Sequence, residues 1–217
     1  MKRALMALYV LALFSISLGM PMSQQEAAAG SEGQFDYYVL ALSWAPNYCG
    51  GHPKDHSNEC RLGARADFVL HGLWPQNNSG SPPLGCAAAR PVSHATVRHM
   101  LEYFPSKGLI QHEWRQHGVC SGLSAADYFA KVEQAFNSIR VPEVYRNLDH
   151  DQTVAAKDVE RSFAQANHAP PEAFRVSCRN GDLINVEVCL TKDLQYRACT
   201  ASVRECRAPQ VMMRATQ

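Results

Sequence analysis

Apolar positions fall into a few dense blocks separated by Gly-, Pro- and Asn-rich punctuation. The first block, residues 4–18, is broken by Ser15 and Ser17 and follows Lys2 and Arg3. A basic start, a short apolar run, Gly19 and Pro21 behind it, and then Ala27-Ala28-Ala29 predict a cleaved export signal, with the cut between residues 19 and 30. The run is short for a membrane anchor, which needs about 20 residues. Residues 30–217 then read as a single domain, with residues 1–29 as signal and leader.

Residues 35–44 (FDYYVLALSW) and 67–74 (DFVLHGLW) are rich in aromatic and branched residues and predict two core strands, the second ended by Pro75. Residues 45–66 and 76–91 read as loops. Val97, Met100, Leu101 and Phe104 share one face of a helix predicted over 93–104. A short helix is expected over 112–117. A stronger one starts at Ser124, where Asp127 completes a capping-box-like opening. Tyr128, Phe129, Val132, Ala135, Phe136 and Ile139 give its apolar stripe, and Pro142 stops it. Another helix is expected over 154–167, stopped by Pro170 and Pro171. Residues 174–178 and 183–190 predict strands joined by the Asn180-Gly181 turn, and Val203 is expected on a short strand. Helices in the middle with strands on both sides predict an α+β fold on a mainly antiparallel sheet.

The eight cysteines (Cys49, Cys60, Cys86, Cys120, Cys178, Cys189, Cys199 and Cys206) all lie beyond the signal. An even set behind an export signal implies disulfides and an oxidising compartment, so the chain is expected to be exported, periplasmic or secreted. No CxxC pair is present, which disfavours a zinc site. Spacing leaves the pairing open among about 105 connectivities. A net charge of +1 argues against a protein that coats nucleic acid, but not against an enzyme holding a few nucleotides in a cleft.

Two segments carry chemistry. FVLHGLWPQ, residues 68–76, sets His71 inside an apolar strand, where a lone histidine is more often structural than catalytic. HEWRQHGVC, residues 112–120, gathers two histidines, a carboxylate, a cation and an indole within six positions. His112 and His117 are five apart, about 140° around a helix and too far for one metal. Glu113, Gln116 and His117 share a face. That set suits acid–base chemistry better than metal binding. Trp44 and Trp114 are expected in the core, and His52, His56, His94, His99, His150 and His168 on surfaces or loops.

Both segments resemble the two active-site segments of the ribonuclease T2 family, in order and in separation, and the resemblance runs from about residue 35 to 206. It implies metal-independent cleavage of single-stranded RNA through a 2′,3′-cyclic phosphate to a 3′-phosphate, by a monomer without cofactor. It implies His117 as general base, His71 as general acid and His112 as the residue holding phosphate and ribose. Glu113 would steady the transition state and Trp74 would stack on a base. Gln76 stands where the family often has an acid and is a candidate to read a base edge. Gln116 stands where the family has a lysine, with Arg115 the nearest cation in sequence. The implied disulfides are Cys49–Cys60, Cys86–Cys120, Cys178–Cys206 and Cys189–Cys199. The Gln116 departure is the one feature favouring the alternative, a catalytically weak RNA-binding or signalling protein on the same fold.

Overall fold

A computed structural model describes residues 32–61 and 66–216. The expected export signal lies outside them. Among the described residues no helix is long and apolar enough to cross a membrane.

The centre of the fold is a six-stranded sheet. Strand β1 (Tyr37–Trp44) pairs on one side with β2 (Phe68–Gln76) and on the other with β5 (Asp182–Leu190), both antiparallel. Strand β4 (Phe174–Arg179) also pairs antiparallel with β5, across the Asn180-Gly181 turn. Strands β3 (Gln152–Ala155) and β6 (Gln210–Met213) pair with each other, and β6 makes the one parallel contact, with β5. The order is β2-β1-β5-β6-β3, so β2 is an edge strand.

One sheet face is apolar at alternate positions. Leu40, Leu42 and Trp44 of β1, Leu70 and Leu73 of β2, and Val186, Val188 and Leu190 of β5 are all buried in one cluster. Helices α2 (His94–Met100), α3 (Lys107–Gln116), α4 (Ala125–Asn137) and α5 (Ala156–Ala166) close over it with Met100, Ile110, Trp114, Phe129, Val132 and Phe163. The opposite face carries Tyr37, Val39, Ala41 and Ser43 of β1 beside Asn185, Glu187 and Cys189 of β5. Tyr37, Val39 and Cys189 pack there with Val203, and the Tyr37 hydroxyl meets Thr200 Oγ1 at 2.9 Å and Ser202 Oγ at 3.1 Å, so residues 199–203 cover that end.

The β1–β2 register contains one irregularity. Ala41 pairs with Gly72 and Leu42 with Leu70, so His71 is an extra residue in β2, a β-bulge. Leu70 and Leu73 are three apart yet both face the core, which a regular strand forbids. The bulge resolves that conflict. It also brings His71 and Trp74, likewise three apart, to the opposite face together.

Several elements depart from the sequence expectation. Residues 45–51 of the expected loop form a short helix, α1 (Ala45–Gly51), with Pro46 in its first turn. Strand β2 continues through Pro75, which an edge strand tolerates because the missing N–H need not join a ladder. Helix α3 begins at Lys107 rather than 112, where Ser106 Oγ accepts from the Leu109 N–H. Helix α2 ends at Met100, short of 104. Strands β3 and β6 were not expected, and Val203 lies outside any strand. Four disulfides are formed: Cys49–Cys60, Cys86–Cys120, Cys178–Cys206 and Cys189–Cys199.

Candidate active site

The site forms where helix α3 packs against the bulged edge strand β2. Helix geometry aims Ile110, Glu113 and Trp114 inward, and all three are buried. Ile110 and Trp114 meet apolar partners. Glu113 is instead 0% exposed with a carboxyl group at the strand backbone. Its Oε2 accepts from the Trp74 indole Nε1 at 2.8 Å. Its Oε1 is buried without a hydrogen-bond partner and lies 3.8 Å from His71 Nε2.

His117 ends α3. Its backbone N–H still donates to the Glu113 carbonyl at 2.9 Å, but φ −119° and ψ −49° take it out of the helix. The chain then makes a 3₁₀ turn over Gly118–Cys120. A side chain on Gly118 would collide with the Trp114 and Tyr128 rings, so only glycine permits this close exit. The turn sets the His117 ring on the Trp74 indole, with centroids 5.3 Å apart and planes 29° from parallel. His71 meets the same indole edge-on, also at 5.3 Å. Two imidazoles from distant parts of the chain thus border one indole.

The electrostatics follow from enclosure. Burial, and secondarily the charge of His112, pulls His71 down to about 4. Burial, with His112 and His71 adding repulsion, pulls His117 down to about 3. Burial pushes the Glu113 carboxyl up to about 8, against the opposing Trp74 hydrogen bond. All three groups are biased towards neutral forms. His71 is the accessible one, with 36% of its side chain exposed. A cavity of about 430 Å³ opens in front of it, lined also by His112, Tyr48, Leu109, Asp55 and Glu59.

Residues 35–199 match the sequence profile of the Ribonuclease T2 family. This chain belongs to that family. A protein from Aeromonas hydrophila named Ribonuclease is 40% identical over 119 residues, 55% of this chain and 53% of the relative. A Haemophilus influenzae protein named Probable ribonuclease is 33% identical over 191 residues, 82% of this chain and 66% of the relative. In each case the match takes in less than two thirds of the relative's own length. The structure of an RNase-related protein from Calystegia sepium superposes with a TM-score of 0.69 at 20% identity, over 84% of this chain and 98% of that one. At that identity the likeness speaks for the ribonuclease T2 fold alone.

The structure does not unite every residue singled out from the ribonuclease T2 segments. His71, Trp74, Glu113 and His117 form one cluster, with the exposed His112 at the cavity wall. Gln116 is half-buried about 60° round the helix from Glu113, and among the described residues its side chain makes no hydrogen bond. Arg115 is exposed and about 200° round the helix from Glu113. Gln76 is 8% exposed at the end of β2 opposite Tyr37, next to the segment that covers that end. Trp74 has one ring face against His117, which leaves it less surface for stacking on a base.

Sequence reasoning missed three site residues. A Cβ on Gly72 would overlap the Glu113 carboxyl and crowd Trp74 Nε1, so the glycine leaves the space in which helix and strand meet. Ser43 and Asn185 line up across β1 and β5 beside His71. Only the Gly72 signal was visible, next to His71 in the motif. The six other histidines are all exposed, and Trp44 and Trp114 are buried at 0% and 8%.

Proposed function

We propose that this chain is an exported endoribonuclease that cleaves single-stranded RNA by internal transesterification, without a metal. The observation that carries the reading is the pair of imidazoles, His71 and His117, bordering one indole, with His71 on the wall of the cavity that His112 also lines. RNA brings its own nucleophile, the 2′-OH beside each phosphodiester. Neutral His117 removes the 2′-OH proton, the 2′-oxygen attacks phosphorus, and the P–O5′ bond breaks. Protonated His71 delivers its proton to the departing O5′. The products are a 2′,3′-cyclic phosphate and a free 5′-hydroxyl. Water then opens the cycle to a 3′-phosphate with the two histidines exchanging roles. Each proton transfer is worth about 10²–10⁴-fold in rate.

The environments support this division of labour. Burial holds His117 well below the ordinary histidine range, which favours the neutral form that a base needs. His71 and Glu113 sit 3.8 Å apart, and the anionic phosphodiester arriving between the histidines favours the proton on His71. The exposed His112 faces the cavity where phosphate and ribose would bind. Because one imidazole must be neutral and the other charged, activity is bell-shaped in pH, and their lowered pKa values place the bell on the acid side of neutral. Four disulfides require an oxidising compartment, which supports export to the periplasm or beyond.

The test compares purified protein on RNA and on DNA of matched sequence, with and without a chelator. RNA alone should be cleaved, chelation should change nothing, and His71→Ala or His117→Ala should abolish cleavage. Intact RNA, or inhibition by the chelator, would overturn the reading.

A further inference from the structure

We propose that Ser43 is a positioning residue for His71: its hydroxyl, oriented by Asn185, holds the imidazole as the Nδ1–H form and leaves Nε2 to exchange the proton. The inference rests on the reading of His71 as general acid. Ser43 Oγ lies 2.9 Å from His71 Nδ1 and donates to Asn185 Oδ1 at 2.7 Å. A serine hydroxyl has one hydrogen. Since that hydrogen goes to Asn185, Oγ can only accept from the imidazole. Nδ1 therefore carries a hydrogen in both the neutral and the charged ring. A free neutral imidazole favours the other tautomer, so the protein imposes this one.

The sheet makes the arrangement rigid. Ser43 pairs with Val69 on β2 and with Asn185 on β5, so strand register fixes Ser43 beside Asn185, and the bulge just beyond Val69 brings His71 to them. Ser43 and Asn185 are 8% and 6% exposed, so water competes little for their hydrogen bonds. Nδ1 is thereby engaged on the sheet side. Nε2 faces Glu113, and the proton enters and leaves there. The titratable groups around His71 are Glu113, His112 and His117 from α3 and its end, Tyr48, Asp55 and Glu59 across the cavity, and Glu187 beyond Asn185 on β5.

Two readouts test this, one of them independent of catalysis. Nitrogen-15 NMR of the ring of His71 reports which nitrogen is protonated when it is neutral. The expected result is Nδ1–H in the wild-type protein and a shift towards Nε2–H in Ser43→Ala. Kinetically, Ser43→Ala should lower kcat roughly tenfold with KM little changed, the effect expected of one neutral hydrogen bond. It should also move the high-pH limb to lower pH, because the imidazolium loses an acceptor. Ser43→Thr should restore both. Asn185→Asp, which can only accept, should keep the Nδ1–H form. A wild-type His71 found as Nε2–H, or a folded Ser43→Ala with unchanged kcat and pH profile, would overturn the proposal. If Ser43→Ala fails to fold, the wild-type spectrum and Asn185→Asp decide. Failure of the wild type to cleave RNA would instead remove the ribonuclease reading and leave the tautomer result standing.

Discussion

Trp74 Nε1 donates to Glu113 Oε2 at 2.8 Å, and this bond joins strand β2 to helix α3 at the indole that both histidines border. Among the described residues it is the sole hydrogen bond to a carboxyl group whose other oxygen has none. In Trp74→Phe an aromatic ring remains between the imidazoles but the donor is gone. Leaving that oxygen unsatisfied should cost about 1–3 kcal/mol of stability, read as a lower Tm. Turnover should fall through loss of Glu113 positioning, with KM little changed. An unchanged Tm with a raised KM would mean that Trp74 acts by stacking on a base instead.

Gly72 makes that bond possible. Its φ is ordinary, and only space is at stake, because a Cβ there overlaps the Glu113 carboxyl. Gly72→Ala should therefore displace Glu113 and reduce kcat by at least about tenfold, more than the stability change alone explains. Activity and Tm measured on the same preparation check this. Near-normal kcat would show that Glu113 can shift without consequence.

The fold's main elements were legible because they bury side chains at regular spacing. Strands β1, β2, β4 and β5 and helix α4 each present several apolar residues in period. Strands β3 and β6 have four residues each and owe their existence to pairing with each other, 55 or more residues apart, which no local pattern reports. Helix α1 contains Pro46 and ends in Gly50-Gly51, so it carries loop chemistry. In the site, motif residues were readable and their orientation was not. The bulge at His71 and the exit turn at Gly118 decide which side chains meet, and both arise from packing against distant residues. Ser43 looked like an ordinary strand residue until the register placed it beside His71 and Asn185.

Glu113 should trade stability for function in a pH-dependent way. Its folded carboxyl is raised from 4.5 to about 8. Between those values the folded state keeps a proton that the unfolded state has lost, so stability falls as pH rises through the window. Glu113→Gln removes this titration. The variant should lose activity yet gain Tm relative to wild type, with the gain growing from about pH 4.5 to about pH 8. Thermal melts of both proteins across that range are the check. A constant difference would mean that Glu113 stays ionised and paired with His71 throughout.

Gln116 is half-buried about 60° round the helix from Glu113, whereas Arg115 is exposed about 200° from it. Gln116→Lys should therefore raise kcat severalfold, because a charge-assisted hydrogen bond to the reacting phosphate is about twice as strong as a neutral one. Arg115→Ala should leave kcat/KM within about twofold, as for a surface change. A large loss from Arg115→Ala would show that its long side chain reaches round the helix to the substrate.

The Cys86–Cys120 disulfide ties the loop after β2 to the turn that follows His117. The Gly85 N–H reinforces the tie by donating to the Gln116 carbonyl at 2.9 Å. Closing this loop contributes about 3–4 kcal/mol in the chain-entropy model. Its local effect matters more, because it fixes the backbone on which the His117 ring leaves the helix. The other three disulfides lie at the Cys49–Cys60 loop and the C-terminal segment. Cys86→Ala/Cys120→Ala should therefore keep only part of the activity while circular dichroism still shows helix and sheet. In a denaturant titration of this variant, cleavage should vanish at a lower concentration than ellipticity, because His117 is released before the sheet opens. Coincident loss of the two signals would show that the disulfide stabilises the whole fold and has no separate hold on the catalytic turn.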